Sequence, residues 1–207
     1  MSRILAFGDS WTKGHGVETD IRYKEDPTPP PFIDKLREQN SWPNQLANLL
    51  NLPAINFGVC GIGNRKILEI VKETIKSGFV NKDDIILIMW SYPYRDSDPI
   101  EVYTEAEQVL ENYQHLYFNS FYRTFDDNSI EYINTTNFVE PEQCMSDILA
   151  DYEILNDKSV WEYNSRSVWE DENGMRVGDY HPNYLGYKLI AEQMYDWISS
   201  RYSGYTP

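Results

Sequence analysis

Ile85-Ile86-Leu87-Ile88-Met89-Trp90 is an unbroken run of six apolar residues, entered from Asp83-Asp84 and left through Ser91-Tyr92-Pro93. A strand with one wet face alternates apolar and polar residues. A strand apolar at every position must be covered on both faces, which restricts the chain to a sheet held between helices. Ile4–Phe7 repeats the pattern and stops at Gly8-Asp9; Pro53–Phe57 reads as a third short strand running into the glycine-rich Gly58–Gly63. Helical spacing fills the intervals. Ser41 or Trp42 stands near a cap, Pro43 lies in the first turn, and Leu46, Leu49 and Leu50 follow. From Asn64 to Lys76, Ile67, Ile70, Val71 and Ile75 share a face and Ser77-Gly78 closes the helix. Strands alternating with helices predict an α/β class with a central parallel sheet.

The remainder is read with the same rules. Residues 25–31 hold four prolines and predict a surface loop or extended rim. Residues 101–125 suit a long amphipathic helix with Val109, Tyr113, Leu116, Tyr117 and Phe121 near one face, which would bury His115 in a helix. Ile130–Ile133 suits another strand. Pro182 to Tyr202 reads as a closing helix with Pro182 at its first position, setting His181 near the cap. Residues 136–178 give no usable period, so the expectation is one domain over 1–207 with an irregular insertion around 136–178.

Composition removes several function classes. The chain has 207 residues, enough for one domain with a full core. It carries 33 acidic against 18 basic side chains, a net charge of −15. Nucleic acid and anionic membranes are polyanions, so neither is expected as a partner. The charge is lopsided: residues 1–80 sum to +1 and residues 81–207 to −16. Cys60 and Cys144 are too few for a disulfide framework or a cysteine zinc cluster, so no metal is expected. The apolar run Ile4–Phe7 is too short for a signal peptide, and no stretch reaches the ~20 apolar residues of a membrane span. A soluble protein, cytoplasmic or in a comparable compartment, is the expectation.

Three segments look chemical. Gly8-Asp9-Ser10-Trp11-Thr12-Lys13-Gly14 directly follows the first strand, where an open parallel sheet presents its ligands. Gly-Asp-Ser alone is ordinary turn chemistry, so Ser10 needs a partner. A serine hydroxyl becomes a nucleophile when a base takes its proton, and histidine suits that task at neutral pH. The chain holds three histidines. His115 falls in the long predicted helix, and His15 lies in a Gly-His-Gly that reads as flexible. His181, in Asp179-Tyr180-His181-Pro182-Asn183, is the candidate base. Asp179 could accept the other ring N–H and fix the tautomer; the plain alternative makes His181 a cap and Asp179 a surface acid. The third segment, Asn56 to Asn64, places glycines and backbone N–H groups at a helix start, suited to an anion or oxyanion. Its spacing is not that of a dinucleotide site.

With these blocks in order the chain resembles the SGNH (GDSL-like) hydrolase family. Gly8-Asp9-Ser10 with Thr12 and Gly14 is similar to its nucleophile block. Trp42-Pro43 with Leu46, then Asn56, Gly58 and Gly61, resembles its glycine block; Asp179, His181, Pro182-Asn183 and Gly186 resemble its terminal block. The resemblance implies a three-layer, flavodoxin-like fold and ester hydrolysis without a cofactor. It implies Ser10 as nucleophile, His181 as base, Asp179 as its orienter and the Gly61 N–H as an oxyanion donor.

Two features depart from the family pattern. The family carries an Asn after the third strand as a further oxyanion donor; here Trp90-Ser91-Tyr92-Pro93-Tyr94-Arg95 holds none. Losing one such donor costs about 2.7–4 kcal/mol of transition-state stabilisation. Either Ser91, Arg95 or the Trp90 indole substitutes, or turnover is poor; alternatively Trp90 and the tyrosines pack the sheet's end. One residue rather than two separates Asp179 from His181, which rotates the carboxylate relative to the ring. Two functions follow. One is an esterase acting on a small acyl group, with an O-acetylated saccharide as candidate and Trp11, Tyr92, Tyr94 and Tyr180 as a sugar face. The other is a binding or structural module on the same fold with weak or no turnover. Carboxylates near an oxyanion would oppose the reaction, so most acids are expected to face solvent.

Overall fold

The computed structural model describes residues 2–17, 32–91, 95, 98–120, 137, 144–158, 160, 168–170, 176–178 and 181–201. Four strands, β1 (Ile4–Gly8), β2 (Ala54–Asn56), β3 (Ile85–Trp90) and β4 (Gln114–Asn119), form a sheet in the order β2-β1-β3-β4. All three pairings are parallel, with Ile4 opposite Ala54 and Ile85, and Ile85 opposite Gln114.

The apolar runs fix the two layers through the two-residue period of a strand. Ile4 and Ala6 of β1, Ile85, Leu87 and Met89 of β3, and Leu116 and Phe118 of β4 point to one face. They pack against α3 (Trp42–Leu50), α6 (Met145–Asn156) and α7 (Tyr184–Arg201) through Trp42, Leu46, Leu149, Ile190 and Met194. Leu5, Phe7, Ile86, Ile88, Trp90 and Tyr117 point the other way. There α4 (Asn64–Lys76) and α5 (Pro99–Leu110) cover them with Ile67, Leu68, Val71, Val102 and Ala106. The result is the three-layer, flavodoxin-like α/β arrangement. From β1 the chain goes outward one way to β2 and the other way, over β1, to β3. The gap beyond the carboxyl ends of β1 and β3 is therefore the switch point where such sheets bind ligands.

The long helix expected over 101–125 is two elements. It ends at Leu110, the Tyr113 N–H closes a turn on the Leu110 carbonyl at 2.8 Å, and β4 follows. Leu116 and Phe118 enter one layer and Tyr117 the other, so a two-residue period explains apolar positions that also fit a helix. His115 is thus a strand residue, bonded through Nδ1 to the Tyr113 carbonyl and through Nε2 to Glu107. Within the stretch that showed no period lie α6 and a small antiparallel pair, β5 (Val168–Glu170) and β6 (Arg176–Gly178). One helix, α2 (Phe32–Asn40), follows the prolines, unread from the sequence; it buries Ile33. The loop expected at 25–31 and the strand expected at Ile130–Ile133 lie outside the described residues.

Entry into the sheet rests on an ion pair between half-buried Arg3 and buried Asp84. Arg3 donates from Nε and an η nitrogen to both oxygens of Asp84, at 3.0 and 2.6 Å, and its guanidinium lies 4.7 Å over the Phe79 ring. Asp84 is fully buried. Burial alone would raise its carboxyl, but bonds from Arg3 and the Asn81 N–H outweigh that and hold it below the usual carboxylate range. A depressed folded-state value means that this stabilisation is present above about pH 4 and is lost as pH falls through it. Arg3→Leu is expected to lower unfolding free energy at pH 7 by about 3 kcal/mol, because it strands a buried carboxylate. The loss should shrink in urea titrations carried out at falling pH; an equal loss at pH 7 and pH 3 would contradict the assignment.

Candidate active site

Ser10 opens α1 (Ser10–Lys13), a single turn set directly on the end of β1. Asp9 caps this turn by accepting the Trp11 N–H at 3.0 Å, and its other oxygen accepts the Ser91 hydroxyl at 2.7 Å. Asp9 is 1% exposed. The ends of β1 and β3 are thereby tied across the switch point.

Asn64, the first residue of α4, completes the tie. Its Oδ1 accepts the Ser91 N–H at 2.7 Å, and its Nδ2 donates to the Ser91 carbonyl at 3.3 Å. Sequence patterning gives Asn64 as a helix start only; the signal there is an asparagine, whose amide can pair with both the N–H and the C=O of one residue. Ser91 is buried, with its hydroxyl hydrogen directed to Asp9, so it braces the turn that Ser10 opens. Trp90 is fully buried in the α4/α5 layer against Tyr103 and Tyr117, with ring centroids at 5.1 and 5.6 Å. That is the packing role the sequence left open for it. Arg95 is exposed on the loop after β3.

The glycine block lies against α1. The Val59 N–H bonds the Gly8 carbonyl at 3.0 Å. Asn56 donates to the Thr12 carbonyl at 2.7 Å and to the Ser41 hydroxyl at 3.2 Å, while its Oδ1 accepts the Gly58 N–H at 2.8 Å. One side chain therefore knits the end of β2 to α1 and to the start of α3. Gly61 is exposed on this loop with φ of 79°, the left-handed region that favours glycine.

From the far end of the chain His181 arrives just before α7, and its Nε2 lies 2.8 Å from Ser10 Oγ. His181 is 2% exposed, whereas Ser10 is half-buried. The helix begins at Tyr184 rather than Pro182. Asn183 caps it, accepting the Gly186 N–H through Oδ1 at 3.0 Å, so His181 and Pro182 form the rigid approach. Asp179, Tyr92, Tyr94 and Tyr180 lie outside the described residues. Trp11, expected on a sugar face, is instead fully buried in the α3/α7 layer.

Among the described residues, Asp9 and Asp84 are the buried acids, and both are hydrogen-bonded. Also among them, no three His, Cys, Asp or Glu side chains form a group able to hold a metal, and no helix is long and apolar enough to cross a membrane.

Solved structures share this fold. A family two carbohydrate esterase from Clostridium thermocellum, in complex with cellohexaose, superposes with a TM-score of 0.53 at 16% identity, covering 99% of this chain and 65% of its own. A family two carbohydrate esterase from Cellvibrio japonicus gives 0.54 at 13% identity, with 97% and 61% covered. A carbohydrate esterase family 2 enzyme with a carbohydrate binding domain, from Corynascus thermopiles (Myceliophthora fergusii), gives 0.51 at 17% identity, with 96% and 66% covered. The chain spans about two thirds of the length of these esterases. No family model matches the chain, and no curated protein matches its sequence.

Proposed function

We propose that the chain is a serine esterase of the SGNH type that removes a small acyl group, with an O-acetylated carbohydrate as its substrate class. The observation that carries the reading is the 2.8 Å approach of His181 Nε2 to Ser10 Oγ at the switch point of the parallel sheet. These residues are 171 positions apart, and a cap or turn has no need of that contact.

The chemistry follows from the two groups. Ser10 Oγ attacks the ester carbonyl carbon as His181 Nε2 takes the hydroxyl proton. The carbonyl oxygen becomes an oxyanion, held by the N–H groups of Ser10 and Gly61. The carbon–oxygen bond to the alcohol breaks, and that oxygen receives the proton from His181. An acyl group is now on Ser10. Water, deprotonated by His181, attacks it and releases the acid. Asp179 is assigned the role of orienting the His181 ring, and Arg95, exposed after β3, is assigned to meet the substrate. No step requires a cofactor.

The competing reading, a binding module, draws on the residue after β3 where an asparagine donor is missing. The Ser10–His181 contact favours hydrolysis. Carbohydrate esterases among the fold relatives support the substrate class. Acetate release from an O-acetylated oligosaccharide and hydrolysis of a long-chain fatty ester test it together. The acetylated sugar should be turned over with a kcat/KM at least about tenfold higher, the discrimination a fitted pocket supplies. A preference for the long chain would overturn the substrate class, and no hydrolysis of either would favour the binding module.

A further inference from the structure

A second histidine stands at the reacting nitrogen. His15 Nδ1 lies 3.3 Å from His181 Nε2, the same atom that faces Ser10 Oγ at 2.8 Å. The two rings meet edge to face, with centroids 4.3 Å apart and planes at 87°.

What reads in sequence as a flexible Gly-His-Gly is a fixed reversal. Gly14 and Gly16 take φ of 88° and 103°, which turn the chain back over α1. The His15 N–H bonds the Ser10 carbonyl at 3.0 Å, and the His15 carbonyl accepts the Tyr187 hydroxyl at 2.7 Å. Tyr187 is fully buried on α7, the helix that His181 leads into. Residue 15 is therefore anchored to the turn bearing the nucleophile and to the helix that follows the base.

We propose that His15 is a positioning residue for the base: its Nδ1 accepts the Nε2–H of His181 during the interval in which His181 is protonated. The inference rests on Ser10 and His181 acting as nucleophile and base. An imidazole nitrogen has either one lone pair or one hydrogen in the ring plane. In the resting enzyme the shorter contact supplies the hydrogen, from Ser10 Oγ to the Nε2 lone pair. Once Ser10 has attacked, that hydrogen is on Nε2 and Oγ is an ester oxygen, a weak acceptor. The His15 Nδ1, with its own proton on Nε2, is within reach to accept it. The proton stays on His181 until the leaving oxygen takes it, and no bond to His15 is made or broken. The bond to His15 is therefore made when His181 carries the proton, and it favours the transfer.

Two substitutions separate this role from a structural one. His15→Leu fills the space without an acceptor, whereas His15→Asn offers an amide oxygen near the position of Nδ1. His15→Leu should lower kcat about tenfold, the scale of one hydrogen bond to a charged group, with KM within about twofold. His15→Asn should recover most of that loss. Equal kcat for His15→Leu and wild type, or equal losses for Leu and Asn, would overturn the proposal. A second readout is independent of turnover. With three histidines in the chain, ring ¹⁵N resonances can be followed individually. His15→Leu should move the His181 Nε2 signal and leave that of His115 in place. An unmoved His181 signal overturns the proposal. A moved signal in a protein that hydrolyses no ester supports the contact and overturns only the nucleophile reading.

Discussion

Ser10→Ala is expected to reduce kcat/KM on p-nitrophenyl acetate by about 10⁴- to 10⁶-fold, the range seen when a serine nucleophile is removed from a base and oxyanion site. Ser10 is half-buried, and among the described residues its hydroxyl meets His181, so the fold loses little with it. The melting temperature should stay within a few degrees of wild type, since one hydrogen bond is worth about 1 kcal/mol. His181→Ala should fall into the same range. The double variant should be scarcely worse than either single one, because nucleophile and base act as a unit. Ser10→Ala retaining a tenth of wild-type activity, with its fold intact, would remove Ser10 from the reaction.

Gly58→Ala is the second large effect, and its cause is steric. A Cβ at residue 58 would lie 2.3 Å from the Lys13 backbone nitrogen, 2.7 Å from the Thr12 carbonyl carbon and 2.8 Å from the Lys13 Cα. All three are backbone atoms of α1, so no side chain can rotate away. Either the glycine loop or the turn bearing Ser10 must shift. Overpacking of this kind costs about 1–3 kcal/mol. The larger consequence is catalytic. A displacement of the nucleophile by about 1 Å costs about 10²-fold in rate. Gly58→Ala should therefore lose about two orders of magnitude in kcat/KM and several degrees in melting temperature. Gly61→Ala provides the contrast: nothing lies within 4 Å of its added Cβ, but φ of 79° penalises any side chain. Its stability loss should stay near 1 kcal/mol. Equal activity in Gly58→Ala and wild type would mean that the loop does not fix the turn.

The layers of the fold were legible because Ile4–Phe7 and Ile85–Trp90 admit one environment, and α4 came out with the bounds its period predicts. The long helix over 101–125 failed where two periods coincide: Val109, Tyr113, Leu116 and Tyr117 suit a helix face, yet Leu116 and Tyr117 enter opposite layers. Tertiary pairing with β3 decided between them. At the site, Ser10 and His181 could be named from their neighbours in sequence, since Gly8-Asp9 and Pro182-Asn183 mark strand end and helix start. The bracing of Ser91 by Asp9 and Asn64 could not, because it joins residues 82 and 27 positions apart through one hydrogen bond and two. The placing of His15 also depends on a distant partner. Flanking glycines suggest freedom, but positive φ at both and a bond from Tyr187 convert them into a rigid turn.

The assignment of Ser10 as nucleophile and His181 as its base is tested most directly by covalent trapping. Intact mass and peptide mapping after exposure to a fluorophosphonate should show one phosphonyl group, located on Ser10, in the wild-type protein. Ser10→Ala should take up none, and His181→Ala should react slower by orders of magnitude. Labelling that persists in Ser10→Ala, or a wild-type protein that stays unlabelled while folded, would contradict the account.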